Sequence, residues 1–179
     1  MLIDLSDRTV LVTCAARRIG PAITRAFREA GARVAVNDVR GPGDPDLPYF
    51  EADVSDRDAV TALFDAVARE LGSVDVLVNN AGITLVKPFL TLTDADWDRV
   101  LTTNLKSMFL CCQAALPAML ARGDGVIVNV GSELGCLGRA QVAPYAASKV
   151  CCANSAVTAY AGWWCSTAGF PASISNMPR

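Results

Sequence analysis

Four short runs of aliphatic residues, Val10-Leu11-Val12, Val34-Ala35-Val36, Val74 to Val78 and Val126 to Val130, recur along the chain with helix-period sequence between them. Near-continuous apolar runs of this kind suit strands buried on both faces, as in a parallel sheet covered by helices. The intervening segments fit that cover. Ala22 to Ala30 reads as a helix after the first run, and Val60, Leu63, Phe64, Val67 and Leu71 fall on one helical face. Ser55 with Asp58 is a capping-box signal for that second helix, and Thr93 with Asp96 repeats it before Trp97, Val100, Leu101 and Leu105. The stretch GPGDPDLP (41–48) holds too many breakers for a helix, so the crossover after the second strand is expected to be short or missing. The order β-α-β-(loop)-β-α-β-α-α-β predicts an α/β fold, a doubly wound parallel sheet. With 179 residues, 52% of them hydrophobic, one Rossmann-like domain over 1–179 is expected.

Composition narrows the chemistry. A formal net charge of −2 leaves no basic surplus for a phosphate backbone, so no nucleic-acid partner is expected. His is absent, and no C-x-x-C pair exists among the seven cysteines, so no metal site is expected. Proton transfer must fall to Tyr, Lys, Cys or carboxylates. The odd cysteine count and an N-terminus without a signal pattern point to a reduced, cytoplasmic protein. The uncharged stretch 150–178 is rich in Ser, Thr, Asn, Gly and Ala and has no Leu, so no membrane span is expected.

The first strand runs into Thr13-Cys14-Ala15-Ala16-Arg17-Arg18-Ile19-Gly20 and then a helix. Strand, tight turn and helix start form an anion site, because free backbone N–H groups and the helix dipole face the ligand. The segment resembles the turn of the short-chain dehydrogenase/reductases, T-G-x-x-x-G-x-G, with Cys14 and Arg18 at two of its glycine positions. If Cys14 is left-handed, its Cβ costs on the order of 1–3 kcal/mol; Arg18 offers a guanidinium that can meet a phosphate directly. Asp38, 18 residues after Gly20, is placed to accept from a ribose 2′-OH and to repel a 2′-phosphate. That favours NAD; Arg17 and Arg18 pull towards NADP. Asp53-Val54 resembles the family's adenine-contacting pair, and Asn79-Asn80-Ala81-Gly82 its N-N-A-G segment lining the cofactor site.

Tyr145 and Lys149, four apart in YAASK, project from one helix face. A free phenol ionises near pH 10 and an adjacent ammonium favours its phenolate, which makes Tyr145 a candidate acid/base. Ser132 is expected to end the fifth strand, at the carboxyl edge where ligands of open α/β sheets bind. The resemblance implies that Ser132 holds the substrate oxygen, that Asn104 in TTNLKSMF continues a proton relay through water, and that Lys149 also binds the nicotinamide ribose. It implies a small-molecule alcohol or ketone substrate and self-association.

The resemblance covers about Thr9 to Lys149. Beyond it the charge pattern stops, and the tail 150–179 diverges from the family's amphipathic helix, later strand and substrate lid. Ala172 to Asn176 is expected to be a poor sixth strand, the C-terminal strand and lid region incomplete, and the chain truncated or altered by a frame change. Two functional readings stay open: an NAD-dependent oxidoreductase, and a catalytically incompetent remnant of the dinucleotide fold that binds or interacts.

Overall fold

The structure, a computed structural model, describes residues 4–154. Strands β1 (Thr9–Val12), β2 (Arg33–Asp38), β3 (Tyr49–Glu51), β4 (Val76–Asn79) and β5 (Val126–Asn129) form one parallel sheet in the order β3-β2-β1-β4-β5. The helices are α1 (Gly20–Glu29), α2 (Arg57–Glu70), α3 (Asp94–Leu101), α4 (Ser107–Arg122) and α5 (Ala143–Asn154). The doubly wound reading holds, and among the described residues no helix joins β2 to β3. The expected sixth strand and the divergent tail from 155 onward lie outside the described residues.

Alternation along the strands sorts the core into two layers. Leu11, Ala35, Leu77 and Ile127 pack with Val60, Leu63 and Val67 of α2 and Leu110, Cys111 and Ala115 of α4. Val10, Val12, Val34, Val36, Val76 and Val78 face the other way, onto Ile23 and Phe27 of α1. Each such buried aliphatic side chain contributes about 1.5–3 kcal/mol relative to exposure. Strands apolar on both faces are thereby explained: both faces are covered.

Several local expectations need correction. The strand read at 74–78 begins at Val76, because Asp75 ends its approach by accepting from Thr9 N at 2.8 Å. Ser55 does not cap α2. Its hydroxyl donates to Asp53 at 2.7 Å, and Asp56 caps instead by accepting from Ala59 N at 2.8 Å. Helix α1 starts earlier than expected, at Gly20, where Pro21 supplies a preset φ. Ser132 does not end β5, which stops at Asn129; it caps the short 3-10 turn Glu133–Gly135. The Thr93 and Asp96 capping box is present as expected at the start of α3.

The strand order reverses between β1 and β4, and ligands of open α/β sheets bind outside that point. At the opposite, amino edge, Asp75 pairs with Arg122 at 3.3 Å and Arg8 at 3.7 Å, tying β1, β4 and α4 together. Among the described residues no helix is long and apolar enough to cross a membrane, and no group of His, Cys, Asp and Glu could hold a metal ion.

Candidate active site

The turn after β1 has the shape that two glycines would ordinarily provide. Cys14 has φ +48° and Arg18 φ +56°, both left-handed. Gly20 is obligatory for a different reason: a Cβ there would meet the Ala15 carbonyl oxygen at 2.5 Å. Among the described residues the backbone N–H groups of Arg17, Arg18 and Ile19 have no acceptor, and the start of α1 has no side-chain cap. These are the free donors a phosphate needs at a helix start. Arg17 and Arg18 are exposed beside them, and Ile19 is half exposed at 52%.

The turn is braced from β4. Thr13 Oγ1 accepts from Asn80 N at 3.0 Å and Ala81 N at 3.1 Å. Asn80 Nδ2 donates to Thr13 O at 3.0 Å and Cys14 O at 2.9 Å. Four bonds therefore join the two loops that flank the crevice. Asn79, inside β4 rather than after it, donates to Asn129 Oδ1 at 2.8 Å across the β4–β5 pair. Gly82 is exposed, and a Cβ there would come only within ordinary contact of Asn104 and Lys149.

Asp38 lies at the end of β2, buried, with its carboxylate accepting from Ala16 N at 3.3 Å and Arg40 N at 3.1 Å. The first bond ties it directly to the anion-binding turn. Asp53 is exposed, and its Oδ1 accepts from Ser55 N at 2.9 Å in a local turn; Val54 beside it is buried. Cys14 is mostly buried between these carboxylates and the core, and desolvation, followed by the Asp38 charge, pushes its thiol up to about 11. It is therefore a neutral thiol at physiological pH, not a nucleophile.

On the other side of the crevice, Ser132 and Tyr145 line one cleft of about 310 Å³. Ser132 Oγ accepts from Leu134 N at 3.2 Å, which leaves its O–H without an acceptor among the described residues. Tyr145 is half-buried. Lys149, one turn on in α5, is buried; its Nζ donates to Val130 O at 2.7 Å and sits 5.9 Å from the centroid of the Tyr145 ring. Helix period alone explains why Tyr145 and Lys149 share a face. Only the return of α5 against the turn after β5 explains why Ser132 meets Tyr145.

Asn104 sits in a π-helical turn, Thr102–Lys106, between α3 and α4. Such wide turns interrupt helices most often at functional sites. Its amide is fully engaged: Oδ1 accepts from Ile83 N at 2.8 Å, and Nδ2 donates to Ile83 O at 3.0 Å and Ser148 Oγ at 2.9 Å. Its direct partners are thus the loop after β4 and α5, not Lys149. Ser148 was not singled out in the sequence; a Ser beside the Y-x-x-x-K lysine has no periodicity that marks it as this contact.

The short chain dehydrogenase family model matches residues 8–159. The chain is 40% identical to D-threitol dehydrogenase of Mycolicibacterium smegmatis over 156 residues, covering 81% of this chain and 60% of that protein. It is 42% identical to cis-4-hydroxycyclohexanecarboxylate dehydrogenase of Sinomonas cyclohexanicum, covering 87% of this chain and 68% of that one. The structure superposes on a gluconate 5-dehydrogenase from Burkholderia cenocepacia, solved with NADP and tartrate, with a TM-score of 0.76 and 34% identity over 83% of this chain and 63% of that one. The chain thus spans 60% to 68% of the length of these two curated relatives. A family match over most of the chain, a parallel sheet fold that superposes on a solved dehydrogenase, and a Ser, Tyr and Lys gathered at the sheet's carboxyl edge agree: the chain belongs to the short-chain dehydrogenase family.

Proposed function

We propose that the protein is an NAD-dependent oxidoreductase that interconverts a secondary alcohol and the corresponding ketone. The observation that carries the reading is the shared cleft of Ser132 and Tyr145 with a buried ammonium beside the phenol ring. The residues fit a dinucleotide. The three unaccepted N–H groups of Arg17, Arg18 and Ile19, with Thr13 and Gly20 shaping the turn, would hold its pyrophosphate. Asp38 would accept from the adenosine ribose, Asp53 and Val54 would border the adenine, and Asn80, Ala81 and Gly82 would lie along the cofactor. Tyr145 and Lys149 would bind the nicotinamide ribose. When bound, the nicotinamide supplies or accepts the hydride.

The chain's own residues do the rest. Ser132 donates its free O–H to the substrate oxygen and holds it near Tyr145. In oxidation Tyr145 takes the alcohol proton at its phenolic oxygen; in reduction it returns one to the carbonyl oxygen. The Lys149 ammonium stands one helical turn from Tyr145, 5.9 Å from the centre of its ring, and is held there by the Val130 carbonyl. Asn104 positions the segment at Ile83 and, through Ser148, the helix that bears Tyr145 and Lys149. Proton transfer by such a placed group contributes typically 10²–10⁴-fold.

The preference for NAD rests on Asp38, whose carboxylate at the end of β2 would repel a 2′-phosphate. Titration of the purified chain with NADH and with NADPH, followed by fluorescence, tests both points. Saturation by NADH below millimolar concentration, at least about tenfold tighter than NADPH, is expected, together with turnover of a panel of ketones. No binding at millimolar cofactor defeats the enzyme reading, and binding without turnover favours the inert remnant.

A further inference from the structure

Among the described residues no helix joins β2 to β3, and the loop 39–48 that takes its place is anchored at both ends. One phenol fixes the near end: Tyr49 Oη accepts from Gly41 N at 3.0 Å and donates to Asp38 O at 2.8 Å. Packing fixes the far end. Leu47 lies against the layer that holds Ala15, Ile23 and Phe27, and Pro48 O accepts from Val36 N at 2.9 Å. In between, the loop runs beside the turn after β1. Arg17 Nη2 donates to Arg40 O at 3.3 Å, and the Asp44 carboxylate stands 3.6 Å from the Arg28 guanidinium of α1.

The loop meets the turn at Gly43. A Cβ there would come within 2.8 Å of both Ala16 Cα and Ala16 O and within 3.0 Å of Ala16 Cβ, on a backbone of φ +66°. Ala16 O and Arg17 N–H belong to one planar peptide unit. That N–H is one of the three donors of the turn with no acceptor among the described residues. Ala16 N donates at the same time to Asp38 Oδ2 at 3.3 Å. A push on Ala16 O therefore tilts the Arg17 N–H, and a push on Ala16 Cα shifts the bond to Asp38. Gly41 supplies the contrast. Its φ is +104°, yet a Cβ there meets nothing within 4 Å.

Resting on the oxidoreductase reading, we propose that Gly43 is a positioning residue for the dinucleotide. The loop closes on Ala16 with no side chain in between and so keeps the Arg17 N–H aimed at the pyrophosphate. Gly43 acts through Ala16 and not by touching the cofactor.

Fluorescence titration of the full chain with NADH compares Gly43→Ala with Gly41→Ala. Both place a Cβ on a left-handed backbone and both cost stability, so denaturant midpoints are measured alongside; only the first meets the turn. Gly43→Ala is expected to weaken NADH binding about tenfold or more, the weight of one hydrogen bond to a charged group. Gly41→Ala is expected to weaken it by no more than about threefold. In the cofactor-free chain, the Arg17 amide cross-peak in two-dimensional NMR is expected to move in Gly43→Ala and to stay in place in Gly41→Ala, a difference that a general loss of stability does not produce. Tyr49→Phe frees the near end of the loop without adding an atom and serves where Gly43→Ala does not fold. It is expected to move the same cross-peak and to weaken NADH binding about twofold or more. Parent-like affinity in Gly43→Ala, an equal loss in Gly41→Ala, an unmoved Arg17 cross-peak, or tighter binding in Gly43→Ala (a loop that covers the site instead of bracing it) each overturns the proposal. Where only Tyr49→Phe folds, its parent-like affinity does the same. With a parent chain that NADH saturates, those results leave the oxidoreductase reading standing; a parent that binds no NADH ends both.

Discussion

The two sides of the crevice carry the family's pattern in different ways. On the β1 side the turn keeps its backbone path while Cys14 and Arg18 occupy left-handed positions that suit glycine. On the β5 and α5 side the residue types are all in place, and helix period sets Lys149 beside Tyr145. The first side therefore carries strain, on the order of 1–3 kcal/mol per position, and the second does not at its Tyr and Lys. The β1 turn withstands it because Asn80 binds the carbonyls of both Thr13 and Cys14. The departures from the family's pattern thus fall in the turn after β1, at Cys14 and Arg18, and not at Ser132, Tyr145 or Lys149.

The sharpest test of that contrast is Tyr145→Phe. It should weaken NADH binding by no more than about tenfold, the weight of its one hydrogen bond to the nicotinamide ribose, and lower kcat by about 10²–10⁴, measured by steady-state kinetics on any ketone that the parent turns over. A comparable loss of NADH binding would show that the two sides do not separate.

Gly20→Ala attacks the other side. Its Cβ would press on the Ala15 backbone at 2.5 Å, where nothing flexible can give way. A loss of about 1–3 kcal/mol is expected in denaturant unfolding, with weaker NADH binding. Unchanged stability would mean the turn is looser than its bonds to Asn80 imply.

Arg18→Gly separates strain from ligand contact. Relief of a left-handed Cβ, about 1–2 kcal/mol, exceeds the added chain entropy of glycine, about 0.5–1 kcal/mol. The variant should be more stable by about 0.5–1 kcal/mol and bind NADH more weakly, because its guanidinium is gone. Cys14→Gly should gain less, since Cys14 also packs against the core that holds Leu11 and Cys111.

The smallest effect concerns the support of the catalytic wall. Lys87, followed by the hydrogen bonds from Thr93, holds the Asp96 carboxyl down at about 2, below the ordinary 3.8. A depressed carboxylate contributes its stability above the unfolded value and loses it as pH falls through the folded one. Asp96→Asn should therefore be slightly less stable than the parent at neutral pH, and the difference should close between pH of about 3.8 and about 2. Denaturant midpoints measured across that range check it. A gap that persists at the lowest pH would place the effect in the cap geometry instead of the charge.

Much of the fold was legible because its causes are local. Apolar runs marked four of the five strands, the breakers at 41–48 marked the missing crossover helix, and Thr93 with Asp96 marked the start of α3. The failures were local competitions between neighbouring polar groups. Ser55 and Asp56 are equally good caps on paper, and the choice fell to Asp56 once Ser55 bonded to Asp53. The π-turn that contains Asn104 has no composition signal, since Leu105 continues the helical face of Val100 and Leu101 as an ordinary helix would.

The amino-acid order by itself determined the pairing of Tyr145 with Lys149 and the alternation that sends Leu11 and Val12 to opposite faces, because helix and strand periods are properties of the backbone. Tertiary structure alone decided that Thr13 would bind Asn80, 67 residues away, and that Ser132 would share a cleft with Tyr145. Those meetings depend on strand order and on which faces are buried, and no period running along one segment encodes the distance to another.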